Sequence, residues 1–288
     1  MLYDINIDDA RVGYRTDGDG SFSRVLFVEK SRKLNPRGAA FSSYSPAYVS
    51  SNEQLQSIMQ ILKPAGKNCL AIAGSGDAPL FLSAYGAQHV DTFDISYNAR
   101  VVMDVKTYML KNNFCFYDYV RVLRDIQTAP DVLNCLSRDV VVRAVTHDTL
   151  DYLRGMRGCR IFMHTSNGEI ACFPDSTEFA AMKQNVRGRY NFIWSDLFDL
   201  SGRITDKKYD IIYLSNVLQY VNATSDIVAV LNNMRTHLNT DGVIVVDSLL
   251  QSLAVARHAK YKLVEQEICN WANLIYDKSA MTMFLKTR

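Results

Sequence analysis

The sequence has no excess of either charge: 32 lysines and arginines stand against 30 aspartates and glutamates, a formal net charge of +2. A phosphate-backbone binder needs clustered basic surface. The basic runs here, 30-KSRK-33 and 187-RGR-189, are short and read as solvated surface. No nucleic-acid partner is expected. No apolar run reaches the length of a membrane span. The first residues, 1-MLYDINIDDA-10, are acidic and mixed rather than basic and then apolar. No secretory leader is read there, and a cytoplasmic location is the expectation. The six cysteines, Cys69, Cys115, Cys135, Cys159, Cys172 and Cys269, include no C-x-x-C pair. They read as reduced core residues rather than a disulfide frame or a zinc site. The five histidines form no H-x-H or H-x-x-x-H pair, so no metal is expected. What is abundant is apolar surface. With 48% hydrophobic and 22% charged residues, the chain can bury a sizeable core in one large domain with a modest appendage.

The pattern along the chain begins with two short strands over 10–29, flanking the turn DGDG. A loop with Pro36, Gly38 and Pro46 follows. Ser51 and Gln54 have the S-x-x-Q spacing of a capping box for a helix over 52–62, ended by Pro64 and Gly66. Strands and helices then alternate. Strands are expected at 68–73, 89–95, 191–194 and 210–214, in the run after Gly242, and near 262–268 and 281–286. Helices are expected from about Pro79, over 98–112 and over 224–238. Near-continuous apolar strands separated by helices predict an α/β fold with a mostly parallel sheet covered on both faces. The last two strands have only a loop between them, which makes at least one of them antiparallel. The middle, 113–190, reads as mostly helical with a hairpin at 160–173. The expected organisation is an extension of hairpin, loop and helix over 1–63 covering the site, then a nucleotide-binding domain over 64–288.

The chemistry centres on 69-CLAIAGSGDAP-79. An apolar strand ends in Ala73, Gly74, Ser75 and Gly76, where backbone amides can approach a ligand at a helix N-terminus. Asp94 ends the next strand, where an acid accepts two hydrogen bonds from a ribose diol. Ile95 and Ser96 follow it. A tight turn plus a capping aspartate is the purely structural alternative. A dinucleotide fingerprint requires G-x-G-x-x-G/A, and here the last position is Pro79. Proline is tolerated in the first helical turn but supplies neither an N–H nor close packing. A nucleoside ligand without a pyrophosphate fits better, and S-adenosyl-L-methionine is such a ligand. Asp196, followed by Leu197, is placed to accept from the adenine amino group, although capping a turn explains it as well. Ser215 and Asn216, after a strand expected beside the first, would face the reacting end of the cofactor. Helix capping is their structural alternative.

At these residues the sequence resembles the S-adenosylmethionine-dependent 3-amino-3-carboxypropyltransferases of betaine-lipid synthesis. Three blocks carry the likeness: LAIAGSGDAPLFL; VDTFDISYNARVVMDVKTYML with the trailing FYDYVRVL; and YDIIYLSNVLQYV. In that family a lysine lies twelve residues after the acid, and Lys106 matches it. The blocks cover about a fifth of the chain. The resemblance implies a Rossmann-like class I methyltransferase fold, with a seven-stranded mostly parallel sheet. It also implies transfer of the 3-amino-3-carboxypropyl group with release of methylthioadenosine, and a lipid-headgroup or small-molecule acceptor.

The sulfonium makes all three attached carbons electrophilic, so the enzyme chooses its reaction by orientation. Tyr44 or Tyr48 would present an aromatic face to the sulfonium. Ser50, Ser51 or Asn52 would bind the methionine carboxylate at a helix start. A capping box with core tyrosines is the structural alternative. Lys106 reads as a structural partner of a carboxylate. Tyr213, Ser215 and Asn216 are the candidate catalytic residues. A general base for an amine, thiol or phenol acceptor would come from Tyr213, Asp247 or His147, and His147 also reads as a helix-start residue. Methyl transfer on the same fold and nucleoside binding without catalysis are the competing functions.

Overall fold

The computed structural model describes residues 10–16, 22–28, 47–129, 131–156, 162–163, 174–186, 190–220, 224–247, 270, 272–277 and 282–287. β1 (Ala10–Thr16) and β2 (Phe22–Val28) pair antiparallel, as the two runs around DGDG predict. A short β3 (Ala47–Tyr48) leads to α1 (Leu55–Leu62), β4 (Asn68–Ile72), α2 (Asp77–Ala84), β5 (His89–Asp94) and α3 (Tyr97–Lys111). The middle is mostly helical, as expected. It contains α4 (Phe116–Gln127), α5 (Val132–Leu136), α6 (Asp139–Ala144), α7 (His147–Gly155), β6 (Phe162–Met163) and α8 (Ser176–Asn185). The chain then forms β7 (Asn191–Trp194), α9 (Leu200–Arg203), β8 (Tyr209–Ser215), a 3-10 turn at Val217–Tyr220, α10 (Thr224–Arg235) and β9 (Leu238–Asp247). β10 (Ala272–Asp277) and β11 (Thr282–Thr287) are the last elements. No helix of the described residues is long and apolar enough to cross a membrane.

Seven strands form one sheet in the order β10-β11-β9-β8-β4-β5-β7. β4, β5, β7, β8 and β9 run parallel, and β11 is inserted antiparallel between β9 and β10. This is the Rossmann-like class I methyltransferase architecture. Side-chain alternation sends each strand's residues into two separate cores. Cys69, Ala71, Ile211, Tyr213 and Val245 face one core with α1, α2 and α3. Leu70, Ile212, Leu214, Ile244 and Val246 face the other, with Leu200 of α9 and Leu231 of α10. Burying each Leu or Ile side chain contributes roughly 1.5–3 kcal/mol, so strands wedged between two cores read as unbroken apolar runs.

Several expectations are corrected. The helix after Ser51 starts at Leu55, with Gln54 as its N-cap and no side-chain capping bond. The Ser51–Gln54 capping box does not form, because the Ser51 hydroxyl bonds Glu53, accepting from its amide at 3.2 Å and donating to Oε2. Phe162 and Met163 pair parallel with Ala47 and Tyr48, a pairing the sequence did not suggest. The rest of 160–173 and the strand expected at 262–268 lie outside the described residues. Among the described residues, the strand before the last one in the chain is Ala272–Asp277, at the edge of the sheet. Cys69 and Cys135 are buried free thiols, both pushed up to about 12 by burial. Cys115 is exposed instead, and its sulfur accepts from the Asp118 amide at the start of α4.

From β4 the chain winds outward to β5 and β7, then returns to the other side of β4 for β8 and β9. The carboxyl ends of β4 and β8 therefore flank the switch point, where a doubly wound sheet opens a ligand crevice.

Candidate functional site

The β4–α2 loop forms a tight turn at that edge. Gly76 N donates to Ala73 O at 2.6 Å, and Ala73 N donates to Phe93 O at 2.7 Å, tying the loop to β5. The two glycines do different work. Gly74 has φ +49, and a Cβ placed on it would meet open space. Gly76 has φ +81, and a Cβ there would lie 3.1 Å from Met103 Cα on α3. Gly76 thus supplies the close packing that a third glycine supplies in a dinucleotide loop, and Pro79 takes over that position without loss.

Asp77 is the first residue of α2 and is 2% exposed. Its Oδ1 accepts from Lys106 Nζ of α3, a pair with both side chains buried. Its Oδ2 accepts from Ser51 N at 2.7 Å and from Ser75 Oγ at 2.9 Å. Lys106 is the structural partner that the sequence suggested. A carboxylate at this helix start also answers the helix dipole internally, where a pyrophosphate would otherwise bind.

Asp94 ends β5 and is 7% exposed. Gly74 N donates to Oδ2 and Ser96 N to Oδ1, both at 2.8 Å. Burial pushes its carboxyl up to about 6, against the lowering effect of the Ser96, Gly74 and Ile95 amides. A carboxylate has about four lone-pair sites, so beside the three amides it keeps acceptor capacity for a ligand hydroxyl. The Trp194 indole donates to the Ile95 carbonyl at 2.9 Å and fixes the next residue. Beside them, Asp196 Oδ1 takes the amides of Phe198 and Asp199 at 2.9 and 2.8 Å. This is the turn cap named as the alternative. Oδ2 has no protein donor among the described residues, and burial raises this carboxyl above its ordinary value. Leu197 is buried next to it.

The segment before α1 straps the switch point. Glu53, 6% exposed, reaches across it to β8. Its Oε2 accepts from Tyr213 Oη at 2.8 Å and from Ser51 Oγ at 3.3 Å. Its Oε1 accepts from Ser215 Oγ at 2.6 Å. Ser215 adopts φ +57, left-handed for a non-glycine residue, where the β8–β9 register shifts. Such outliers persist where surroundings over-determine them, often at functional sites. Burial pushes Glu53 up to about 7, and Asp247 at the end of β9 adds to the rise, against hydrogen bonds from Ser215, Tyr213 and Ser51.

The structure brings together Ser51, Ala73, Gly74, Ser75, Gly76, Asp94, Ile95, Ser96, Tyr213 and Ser215 at one edge. Asn216 opens the turn after Ser215. Ser51 spends its amide on Asp77 and its hydroxyl on Glu53, so it holds these two acids rather than a ligand carboxylate. Tyr44 lies outside the described residues, and Tyr48 is partly exposed on β3. His147 is exposed at the start of α7, capped by Thr146, as its helix-start reading predicts. The sequence reading missed Glu53 and Asp77. Asp77 carried a signal, an acid heading the otherwise apolar APLFLSA. Glu53 sits among polar residues and carried none. Among the described residues no group of three or more His, Cys, Asp and Glu side chains is arranged to hold a metal.

No protein-family model matches the sequence, and no curated protein matches it. Solved structures do resemble it in shape. One is the N-methyltransferase NodS of Bradyrhizobium japonicum, in complex with S-adenosylhomocysteine. It is 12% identical, with 83% of this chain and 88% of NodS covered and a TM-score of 0.41. The rRNA methyltransferase AviRa of Streptomyces viridochromogenes is 13% identical over 85% of this chain and 86% of its own, with a TM-score of 0.42. The magnesium protoporphyrin IX methyltransferase of Synechocystis, with bound S-adenosylmethionine, is 12% identical over 81% and 76%, with a TM-score of 0.40. The fold assignment rests on strand order and register, not on these likenesses.

Proposed function

We propose that the chain is an S-adenosyl-L-methionine-dependent transferase that moves the 3-amino-3-carboxypropyl group to a nucleophile and releases methylthioadenosine. The observation that carries the cofactor is Asp94. It is a buried carboxylate at the switch-point edge, it holds the glycine loop through Gly74 N, and it retains acceptor capacity for a ribose hydroxyl. The open space beside Gly74 fits a nucleoside lying against the loop. Asp196 Oδ2 would accept from the adenine amino group, with Ile95 and Leu197 against the ring. Tyr44 would face the sulfonium. The donor supplies an activated carbon on a sulfonium. The chain's residues bind it, orient it and hold the acceptor, and orientation decides which carbon is attacked.

Aminocarboxypropyl transfer is preferred because the residues that carry the family resemblance converge on one network. The glycine loop, Asp94, Lys106 and Ser215 are joined through Asp77, Ser51 and Glu53. The seven-stranded architecture supports methyl transfer as the second reading. Mass spectrometry of the nucleoside by-product separates the two. Methylthioadenosine is expected, and S-adenosylhomocysteine would hand the function to methyl transfer. In the same assay series, Asp94→Ala should weaken S-adenosylmethionine binding by about 1.5–3 kcal/mol, the worth of a charged hydrogen bond. Unchanged affinity would remove the ribose assignment.

A further inference from the structure

Glu53 joins the strap before α1 to β8, beside the left-handed Ser215 at the switch point. Three hydroxyls already donate to its carboxylate: Tyr213 and Ser51 to Oε2, Ser215 to Oε1. Each carboxylate oxygen accepts about two hydrogen bonds. Oε2 is therefore filled, and one lone pair of Oε1 remains. Among the described residues, the charged group that bears on it is acidic. Asp247 of β9 faces it and is held by Thr282 of β11. Asp94 lies at the end of β5 on the same edge. Among the described residues, the cation in this network, Lys106, bonds Asp77 and reaches Glu53 through Ser51.

We propose that the acceptor is an amine, and that Glu53 anchors its ammonium group and takes its proton. This rests on the transferase reading above and names its substrate class. An edge carrying Glu53, Asp94 and Asp247 attracts a cation and repels a phosphate. The proton bookkeeping selects against alcohols as well. Glu53 titrates at about 7. An alkylammonium, near ~10, lies about three pH units above that. A hydroxyl, near the ~16 of water, lies about nine above. In the step itself, one ammonium N–H proton passes to the Glu53 carboxylate. The freed nitrogen lone pair forms a C–N bond to the γ-carbon of the donor's amino-acid arm. The C–S bond breaks, its electron pair stays on sulfur, and methylthioadenosine leaves neutral. The new secondary amine carries the positive charge, and Glu53 returns its proton to water.

The test incubates wild type and Glu53→Gln with S-adenosylmethionine and three probe sets: primary amines (ethanolamine, putrescine, free amino acids), 2-mercaptoethanol, and diacylglycerol in detergent micelles. Adducts are identified by mass, and donor and amine affinities are measured by calorimetry. Adducts on amines are expected, with the rate rising through a limb near pH 7. Glu53→Gln should keep donor affinity within about threefold, bind the amine more weakly, lose the limb, and turn over about 10²–10⁴-fold more slowly. Ser215→Ala removes a hydrogen bond that favours the anion, so the limb should move to higher pH. Preference for the thiol or diacylglycerol overturns the proposal. So does an unchanged limb in both variants, or donor binding without any amine adduct; in each of these cases the donor reading survives. A wild-type protein that does not bind S-adenosylmethionine overturns both.

Discussion

Glu53 and Asp94 are more costly to bury than their neighbours, and that cost has a direction in pH. For both, the folded carboxyl titrates above its ordinary value, from 4.5 to about 7 and from 3.8 to about 6, with burial the largest cause. An acid whose folded value is raised binds its proton more tightly in the folded state. Its contribution to stability is therefore fully present below the unfolded value and is lost as pH rises through the folded value. The two residues should make the chain less stable at pH 8 than at pH 5, Glu53 by roughly 2–3 kcal/mol and Asp94 by roughly 1 kcal/mol. Asp91 runs the other way. Burial raises it, but Lys207, Asn191, Tyr209 and His89 outweigh burial and hold it low. Its stabilisation is lost only as pH falls below the ordinary aspartate range, outside the window set by the other two. Thermal melts from pH 5 to pH 8 should show a falling midpoint in wild type and a flatter profile in Glu53→Gln and Asp94→Asn. A wild-type midpoint that rises across that range would contradict the burial assigned to both acids. A fold that retains two such carboxylates at its switch point gives up stability there, as binding and catalytic sites do.

The glycine loop between β4 and α2 shows how one element divides its work, and the division is measurable. Gly76→Ala places a methyl against the α3 backbone in a left-handed conformation and should cost about 1–3 kcal/mol. Gly74→Ala has open space and should show backbone strain alone, about 1–2 kcal/mol. Denaturant midpoints give the ranking, and an equal loss at both sites would mean that the Met103 contact is not limiting. The loop was legible in the sequence because an apolar strand, two glycines and a following acid are local signals. The parallel core strands were legible for the same reason: burial on both faces writes unbroken apolar runs. The start of α1 was misread because Ser51 and Gln54 have capping spacing, yet Ser51 is drawn to Asp77, a partner remote in sequence. Glu53 was invisible on the same ground. Its partners Tyr213 and Ser215 are on β8, and only the sheet order brings them near. Local pattern reports what a residue does within its own turn, and long-range polar bonds leave no period.

At the scale of the whole molecule, one buried ion pair holds the pieces of the site together. Lys106 belongs to α3, Asp77 to the glycine loop and α2, and Ser51 to the strap. Glu53 then carries the connection to Tyr213 and Ser215 on β8. The chain of bonds crosses from one side of the switch point to the other, and at Asp77 it holds the glycine loop through Ser75, so loss of the Lys106–Asp77 pair should be felt in binding as well as in stability. Lys106→Met keeps the buried stem but leaves Asp77 without its counter-charge. Breaking a buried pair from one side costs about 3–5 kcal/mol, whereas replacing both partners costs much less. Lys106→Met alone should therefore lose about that much stability, and Lys106→Met with Asp77→Asn should regain most of it. Asparagine keeps an oxygen for the Ser51 amide, so the double variant should also recover much of its affinity for S-adenosylmethionine. Chemical denaturation and calorimetry on the same three proteins test both halves. A single variant that loses less than about 1 kcal/mol would mean that the strap is held by packing of Val49 and Leu55 rather than by charge. A double variant that regains stability without affinity would locate the binding function of Asp77 in its charge, acting directly on the ligand instead of through Ser51.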